Sequence, residues 1–145
     1  MRDARVFLAL WQAAHRAERL VARELDAAGV DGTHLALLLL VGELGRATAT
    51  EVAAELGVPF MTASDALRRL VGAGDLTRTP NPADRRSSVF ALTTAGKRRL
   101  RAVEKPLARA AASLAATSRE PLGRLHGHIE DLDNAIADAL DITNP

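Results

Sequence analysis

The sequence predicts a mainly α-helical chain with one small antiparallel β-hairpin set into its middle. Three observations predict it. Apolar residues recur at helical spacing over most of the 145 residues. Two short β-prone runs, Leu76 to Thr79 and Ser87 to Leu92, flank a loop containing two prolines. Immediately before them, two short helical segments are joined by a Gly-containing turn. At this length a single domain, 1–145, is the simplest organisation, and 48% hydrophobic content suits a packed core.

The first helix is expected from about Arg5 to Ala28. Val6, Leu10, Ala13, Ala17, Leu20, Val21 and Leu25 keep helical period there, and Gly29 supplies a left-handed stop. Thr33 can cap a second helix that runs through HLALLLLVGELG to Gly45. Its apolar residues lie nearly all the way round, which predicts burial on most sides. Thr48 and Glu51 make a capping-box pattern for a third helix, with Val52, Ala53 and Leu56 on one side and Gly57 at its end. Pro59 disfavours helix at Val58, so a fourth begins near Phe60. The third and fourth together read as a helix-turn-helix.

In the fourth helix Ala63, Ala66, Leu67 and Leu70 repeat at i, i+3, i+4 and i+7 and must point inward. The outer face is then Met61, Thr62, Ser64, Asp65, Arg68 and Arg69. Small hydroxyl groups near the N-terminus, followed by paired arginines, suit a helix lying in a DNA major groove. Thr62, Ser64, Asp65 and Arg68 would face bases or adjacent phosphates, with Arg69 on the backbone.

The hairpin connection PNPADRR is too long for a two-residue turn, so its tip should project. Pro80 and Pro82 cannot donate ladder hydrogen bonds. Asp84 can brace the tip by accepting from loop backbone and pairing with Arg86. Arg86, with Arg85 beside it, is then placed for a narrow, electronegative minor groove. A helix-turn-helix followed at once by such a ribbon is a winged helix. Charge agrees: Arg46 to Lys105 holds eleven Lys/Arg against six Asp/Glu, whereas the flanks are net acidic.

Thr93 or Thr94 can cap a long helix through AGKRRLRAVEKPLARAAASLAATS, in which Pro106 is expected to cause a kink. A final helix begins after Thr117 or Ser118 and Pro121, with Leu122, Leu125, Ile129, Leu132, Ile136 and Leu140 at helical spacing. That stripe needs a partner surface, and homodimerisation through about residues 1–25 and 105–142 supplies one. A two-fold dimer would read a pseudo-palindromic site with half-sites about 34–36 Å apart.

The region from roughly Leu35 to Leu100 resembles the MarR family of bacterial transcriptional regulators. The carrying segments are TATEVAAELGVPFMTASDALRRLVGAGDL for the two helices and RTPNPADRRSSVFALTTAG for the wing. Asp84-Arg85-Arg86 matches the family's Asp-x-Arg wing signature, and Leu92-Thr93 with Gly96 matches the start of the helix after it. Asp75 departs from the pattern, which usually has an apolar residue after the glycine. The long helices on either side fit the family in number and order, so the likeness extends over nearly the whole chain. It implies a winged helix-turn-helix at 33–100 flanked by dimerisation helices at 1–28 and 101–142. It also implies double-stranded DNA as partner, a homodimer, and a repressor released by a small-molecule effector. Ligand pockets in the family lie where the terminal helices meet the winged helix, which makes Trp11, His15, His34 and Leu38 the candidates by position.

Composition closes other routes. The chain has no cysteine, so disulfides, thiolate zinc sites and thiol switches are excluded. His126, His128 and Glu130 form the only histidine cluster, but helical positions two apart point in different directions and chelate poorly. No metal or cofactor is expected. Leu35 to Val41, the longest apolar run, is too short to span a bilayer. The first twenty residues read as a helix of the mature protein, which makes the cytoplasm the expected location. An enzyme is not expected: there is no Gly-x-Ser-x-Gly elbow and no phosphate-binding glycine loop. The remaining alternative is a small-molecule-binding or protein-interaction module of the same fold that does not bind an operator.

Overall fold

The computed structural model describes residues 4–142, with the side chains of Ala27, Asp141 and Ile142 outside that description. The parts of the expected dimerisation regions and of the single domain that fall on residues 1–3 and 143–145 therefore lie outside the described residues. Six helices and a three-stranded antiparallel sheet follow in the order α1 (Ala4–Leu25), α2 (Gly32–Leu44), β1 (Ala47–Thr48), α3 (Ala49–Leu56), α4 (Phe60–Gly72), β2 (Leu76–Pro80), β3 (Ser88–Leu92), α5 (Thr94–Thr117) and α6 (Leu122–Ile142). The chain divides into two compact units, one running to Leu107 and the other starting at Ala108.

Local chemistry explains the boundaries in the first unit. Asp26 to Ala28 tighten into a 3-10 turn after α1, and Gly29 closes it at φ 62. The cap of α2 is Asp31 and not Thr33: its carboxylate accepts from the His34 backbone N–H at 2.7 Å. An aspartate at this position is at least as good a cap as threonine and lies one residue before the helix. At α3 the capping box is complete. Glu51 N–H donates to Thr48 Oγ1 at 3.2 Å, and Thr48 N–H donates to Glu51 Oε2 at 2.7 Å. Those Thr48 bonds, with Arg46 nearby, hold the Glu51 carboxyl below the usual glutamate range. Gly57 then closes α3 at φ 61.

The hairpin is part of a wider sheet. β1 pairs with β3 through Ala47–Phe90 and Thr48–Val89, so the strand order is β1-β3-β2. A two-residue strand carries too little pattern to be seen in sequence. Pro80 lies at the end of the β2–β3 ladder opposite Ser88, inside the strand and not in the loop as expected, a terminal position where its missing N–H costs nothing.

The main core gathers Leu37, Leu38 and Val41 from α2, Val52 from α3, the predicted inner face of α4, and Leu76 and Phe90 from the sheet. All four of Ala63, Ala66, Leu67 and Leu70 are buried there. The all-round burial expected of α2 is incomplete, because Leu39 and Leu44 are exposed. A second cluster joins Leu25, Val30, Leu35 and Val103. Thr93 is the cap of α5, accepting from Gly96 N–H at 2.9 Å, and α5 stays helical through Pro106. In the second unit α6 begins after Pro121, and Ser118 Oγ turns the preceding loop by accepting from Glu120 N–H at 3.1 Å.

Among the described residues no helix is long and apolar enough to cross a membrane, and no group of three or more His, Asp or Glu is placed to hold a metal ion. His126 and His128 instead pair separately with Glu130 and Glu120.

Four substitutions test these contacts. A Cβ on Gly96 would overlap the Asp75 backbone carbonyl, whereas one on Gly72 would meet nothing within 4 Å. Gly96→Ala is expected to destabilise by about 1–3 kcal/mol, and Gly72→Ala to stabilise by up to ~1 kcal/mol, both read by urea unfolding. Thr48→Ala should cost about 1 kcal/mol through loss of the cap. Because the folded-state pKa of Glu51 is depressed, its contribution is present above the ordinary glutamate pKa and lost as pH falls through the folded value. The acid side of a stability–pH curve should therefore flatten in Glu51→Gln, and only in part in Thr48→Ala, which keeps the backbone N–H that Glu51 accepts from.

Candidate nucleic-acid interface

The exposed face of α4 is the one its periodicity dictates. With Ala63, Ala66, Leu67 and Leu70 turned into the core, Met61, Thr62, Asp65, Arg68 and Arg69 face outward, and Ser64 is half-buried. The first turn of α4 follows Pro59, which provides no side-chain cap for its N–H groups. Arg68 donates to Asp65 at 2.6 Å one turn earlier on the same face. Both members are largely exposed, so the pair holds Arg68 only weakly.

The wing is stiffened by a chain of short-range hydrogen bonds across its loop. Asn81 N–H donates to the Ser87 carbonyl at 3.1 Å, and Asn81 Nδ2 donates to Ser87 Oγ at 2.9 Å. Asn81 Oδ1 also accepts from Ala83 N–H, an Asx turn. Asp84 Oδ1 accepts from the Arg86 backbone N–H at 3.0 Å, while its carbonyl accepts from Ser87 N–H. Asp84 thus braces the tip through backbone. The expected ion pair with the Arg86 guanidinium does not form, because bonding its own loop amide satisfies the carboxylate locally and leaves the guanidinium to point elsewhere.

Where it points is informative. Arg86 lines a cleft of about 490 Å³ between α4 and the wing, together with Ser64, Arg68, Arg78 and Phe60, and with Thr48 to Thr50 at the start of α3. Helix α4 and the wing thus share one concave surface carrying three arginines. Arg85 is exposed beside it, on the loop. Arg78 and Phe60 were missed by sequence reasoning. Period-two alternation puts Arg78 on the Leu76 side of the sheet, towards α4, and that signal could have found it. Its Nε donates to Ser88 Oγ across the hairpin at 2.9 Å, which fixes its stem.

Arg69 faces a second, smaller cleft of about 250 Å³, lined also by Asp31, Thr33, His34, Ala66 and Leu70. Of the four ligand-pocket candidates only His34 lies there. Leu38 is fully buried in the main core, and Trp11 and His15 stack on each other along exposed α1, ring centroids 5.5 Å apart. Neither cleft brings the four together.

A family model described as the MarR family matches residues 28–87, from the end of the first helical segment to the wing. No curated protein matches the sequence. Among solved structures, a probable transcriptional regulator from Pseudomonas aeruginosa is 25% identical with a TM-score of 0.78, over 91% of this chain and 99% of that one. The M. tuberculosis transcriptional regulator MOSR, solved in complex with DNA, is 21% identical with a TM-score of 0.80, over 91% and 96%. A cysteine-to-serine mutant of MarR from E. coli, complexed with operator DNA, is 20% identical with a TM-score of 0.74, over 88% and 92%. Members of the matched family are transcriptional regulators and not enzymes. The chain thus matches the MarR family model over residues 28–87 and shares its fold with these transcriptional regulators.

Proposed function

We propose that the protein is a sequence-specific DNA-binding transcriptional regulator, a repressor that acts in the cytoplasm as a homodimer on a pseudo-palindromic operator. The observation that carries the reading is the shared cleft: a reading helix with an exposed polar face and a wing arginine converge on one surface with Arg68, Arg78 and Arg86. In this reading α4 enters the major groove. Thr62, Ser64, Asp65 and Arg68 meet base edges or neighbouring phosphates, and Met61 touches the groove wall. Arg69 holds backbone, while Arg85 and Arg86 reach the adjacent minor groove. Two relatives of this fold solved with DNA support it.

Exposed apolar side chains support the homodimer. In the first unit Phe7 and Trp11 are 70% and 66% exposed; in the second Ile129 and Leu140 are 65% and 63% exposed. Release by a small-molecule effector completes the proposal, since a ligand bound in either cleft beside α4 would occupy space needed by DNA.

Selection of duplexes from a randomised pool, followed by footprinting, tests the function. Enrichment of a two-fold site is expected; failure to retain any duplex at low salt would favour the interaction-module alternative. Arg86→Ala should weaken binding to the enriched duplex and lower its log–log salt slope by ~0.9, about one phosphate contact. An unchanged slope and affinity would remove the wing from the mechanism. For the dimer, Ile129→Glu places a charge on a face already open in the single chain, so helicity should persist while sedimentation equilibrium falls from two chains to one. A wild-type monomer, or a variant that stays dimeric, contradicts the assignment.

A further inference from the structure

Among the described residues Asp75 is the only polar or charged residue that is buried, and it is completely sealed from solvent. It occupies the corner where the reading helix hands over to the wing. Gly74 before it takes φ 79, and Leu76 after it opens β2. Every polar atom of Asp75 is engaged. Its N–H donates to the Leu70 carbonyl at 3.0 Å, and its carbonyl accepts from Thr93 N–H at 3.0 Å and Thr93 Oγ1 at 3.1 Å. Its two carboxylate oxygens are divided: Oδ2 accepts from His34 Nε2 at 2.8 Å, and Oδ1 accepts from Arg99 Nε at 3.0 Å. His34 belongs to α2 and Arg99 to α5, so one side chain ties the corner to two different helices.

Burying a carboxylate carries a desolvation penalty of several kcal/mol, and an apolar residue of suitable volume would seal such a corner with no such penalty. What the charged cluster adds is direction. Two charge-assisted bonds of restricted geometry hold the corner toward α2 on one side and α5 on the other, whereas an apolar contact would let it slide. Resting on the dimeric DNA-binding reading above, we infer that Asp75, His34 and Arg99 are positioning residues: they form the joint that fixes the reading helix and wing against α2 and α5, and thereby the half-site spacing that two copies of the chain accept. The joint contributes to specificity without supplying a base contact. It selects the separation and phase of two half-sites, because one added base pair turns the second half-site by about a tenth of a helical turn.

The test uses the full-length protein and a duplex enriched by it from a randomised pool, compared with the same duplex bearing one base pair inserted or removed at its centre. The wild type is expected to lose about tenfold or more in affinity on either change, ~1.4 kcal/mol or more. Asp75→Leu should keep a melting temperature near the wild type, bind the original spacing more weakly, and discriminate by less than about threefold among the three duplexes, ~0.6 kcal/mol. Asp75→Asn, which keeps the shape and an acceptor for Arg99, should restore most of the discrimination. Should Asp75→Leu fail to fold, Arg99→Met removes one tie from a partly exposed position and should loosen spacing in the same direction. A folded Asp75→Leu or Arg99→Met protein with wild-type spacing discrimination overturns the inference. A wild-type protein that enriches no duplex, or ignores spacing, instead sinks the dimeric DNA-binding reading beneath it.

Discussion

A carboxylate shut away from water at a helix–strand corner can persist only if each of its oxygens is answered, and several elements of the first unit meet that requirement at Asp75. Asp75 draws His34 and Arg99 inward from α2 and α5, and its main chain closes α4 through Leu70. The demand extends further along the chain. Thr93 bonds the Asp75 carbonyl with both its N–H and its hydroxyl, and the same hydroxyl accepts from Gly96 N–H to start α5. Gly96 must lack a side chain because that carbonyl occupies the space where a Cβ would go. The end of β3, the cap of α5 and the close of α4 are therefore linked through the Asp75 main chain and the Thr93 side chain, whose hydroxyl also donates to the Gly74 carbonyl at 2.7 Å.

That anchoring determines how the cationic surface is presented. Arg78 and Arg86 lie on the wing and Arg68 on α4, so their convergence depends on the relative placement of two elements joined at the Asp75 corner. Local bonds hold each contributor in place: Ser88 fixes the stem of Arg78, and the Asp84 carboxylate turns the backbone at Arg86. The Asp65–Arg68 pair is exposed and therefore worth little, so Arg68 can exchange its carboxylate for a phosphate at small cost. With a net charge of only +1 over the chain, attraction to a polyanion has to come from such local concentration and not from the overall field.

What the sequence discloses here is whatever depends on short range. The inward face of α4 follows from Ala63, Ala66, Leu67 and Leu70, and the α3 capping box from Thr48 and Glu51, because partners within one turn of helix are fixed by periodicity alone. The boundary at Gly57 is legible for the same reason. Choices between equivalent neighbours are less so: Asp31 and Thr33 are both good caps, and only the direction in which the chain arrives decides between them. Ala47 and Thr48 form a strand because β3 offers them an edge, which no property of two residues announces. The Asp75 joint is the extreme case. Its departure from the family pattern is visible in the sequence, but its partners stand 41 and 24 residues away and are chosen by the packing of α2 and α5. The candidate site divides in the same way: the exposed residues of α4 were readable, while Arg78 and the aim of the Arg86 side chain required the hairpin register.

The apolar residues left in water are evidence of a different kind from the buried ones. Single exposed hydrophobic residues are ordinary on any protein surface, and alone they indicate nothing. Those on the terminal helices fall in rows. Phe7, Trp11 and His15 follow one another at four-residue spacing along α1, and Trp11 and His15 are already stacked with their planes 2° apart. On α6, Ile129, Leu132, Ile136 and Leu140 recur at intervals of three and four, and all are exposed. A row at helical spacing is the pattern a helix carries when it is to be covered along its length. In the first unit that row lies on α1, well before α4 in the chain, and the second unit contains neither α4 nor the wing. Charge and hydroxyl groups lie on α4 and the wing, beside the exposed Phe60 and Met61, while the longer apolar rows lie on α1 and α6. Such an arrangement suits the proposed reading, which needs one surface for a polyanion and another for a second copy of the chain.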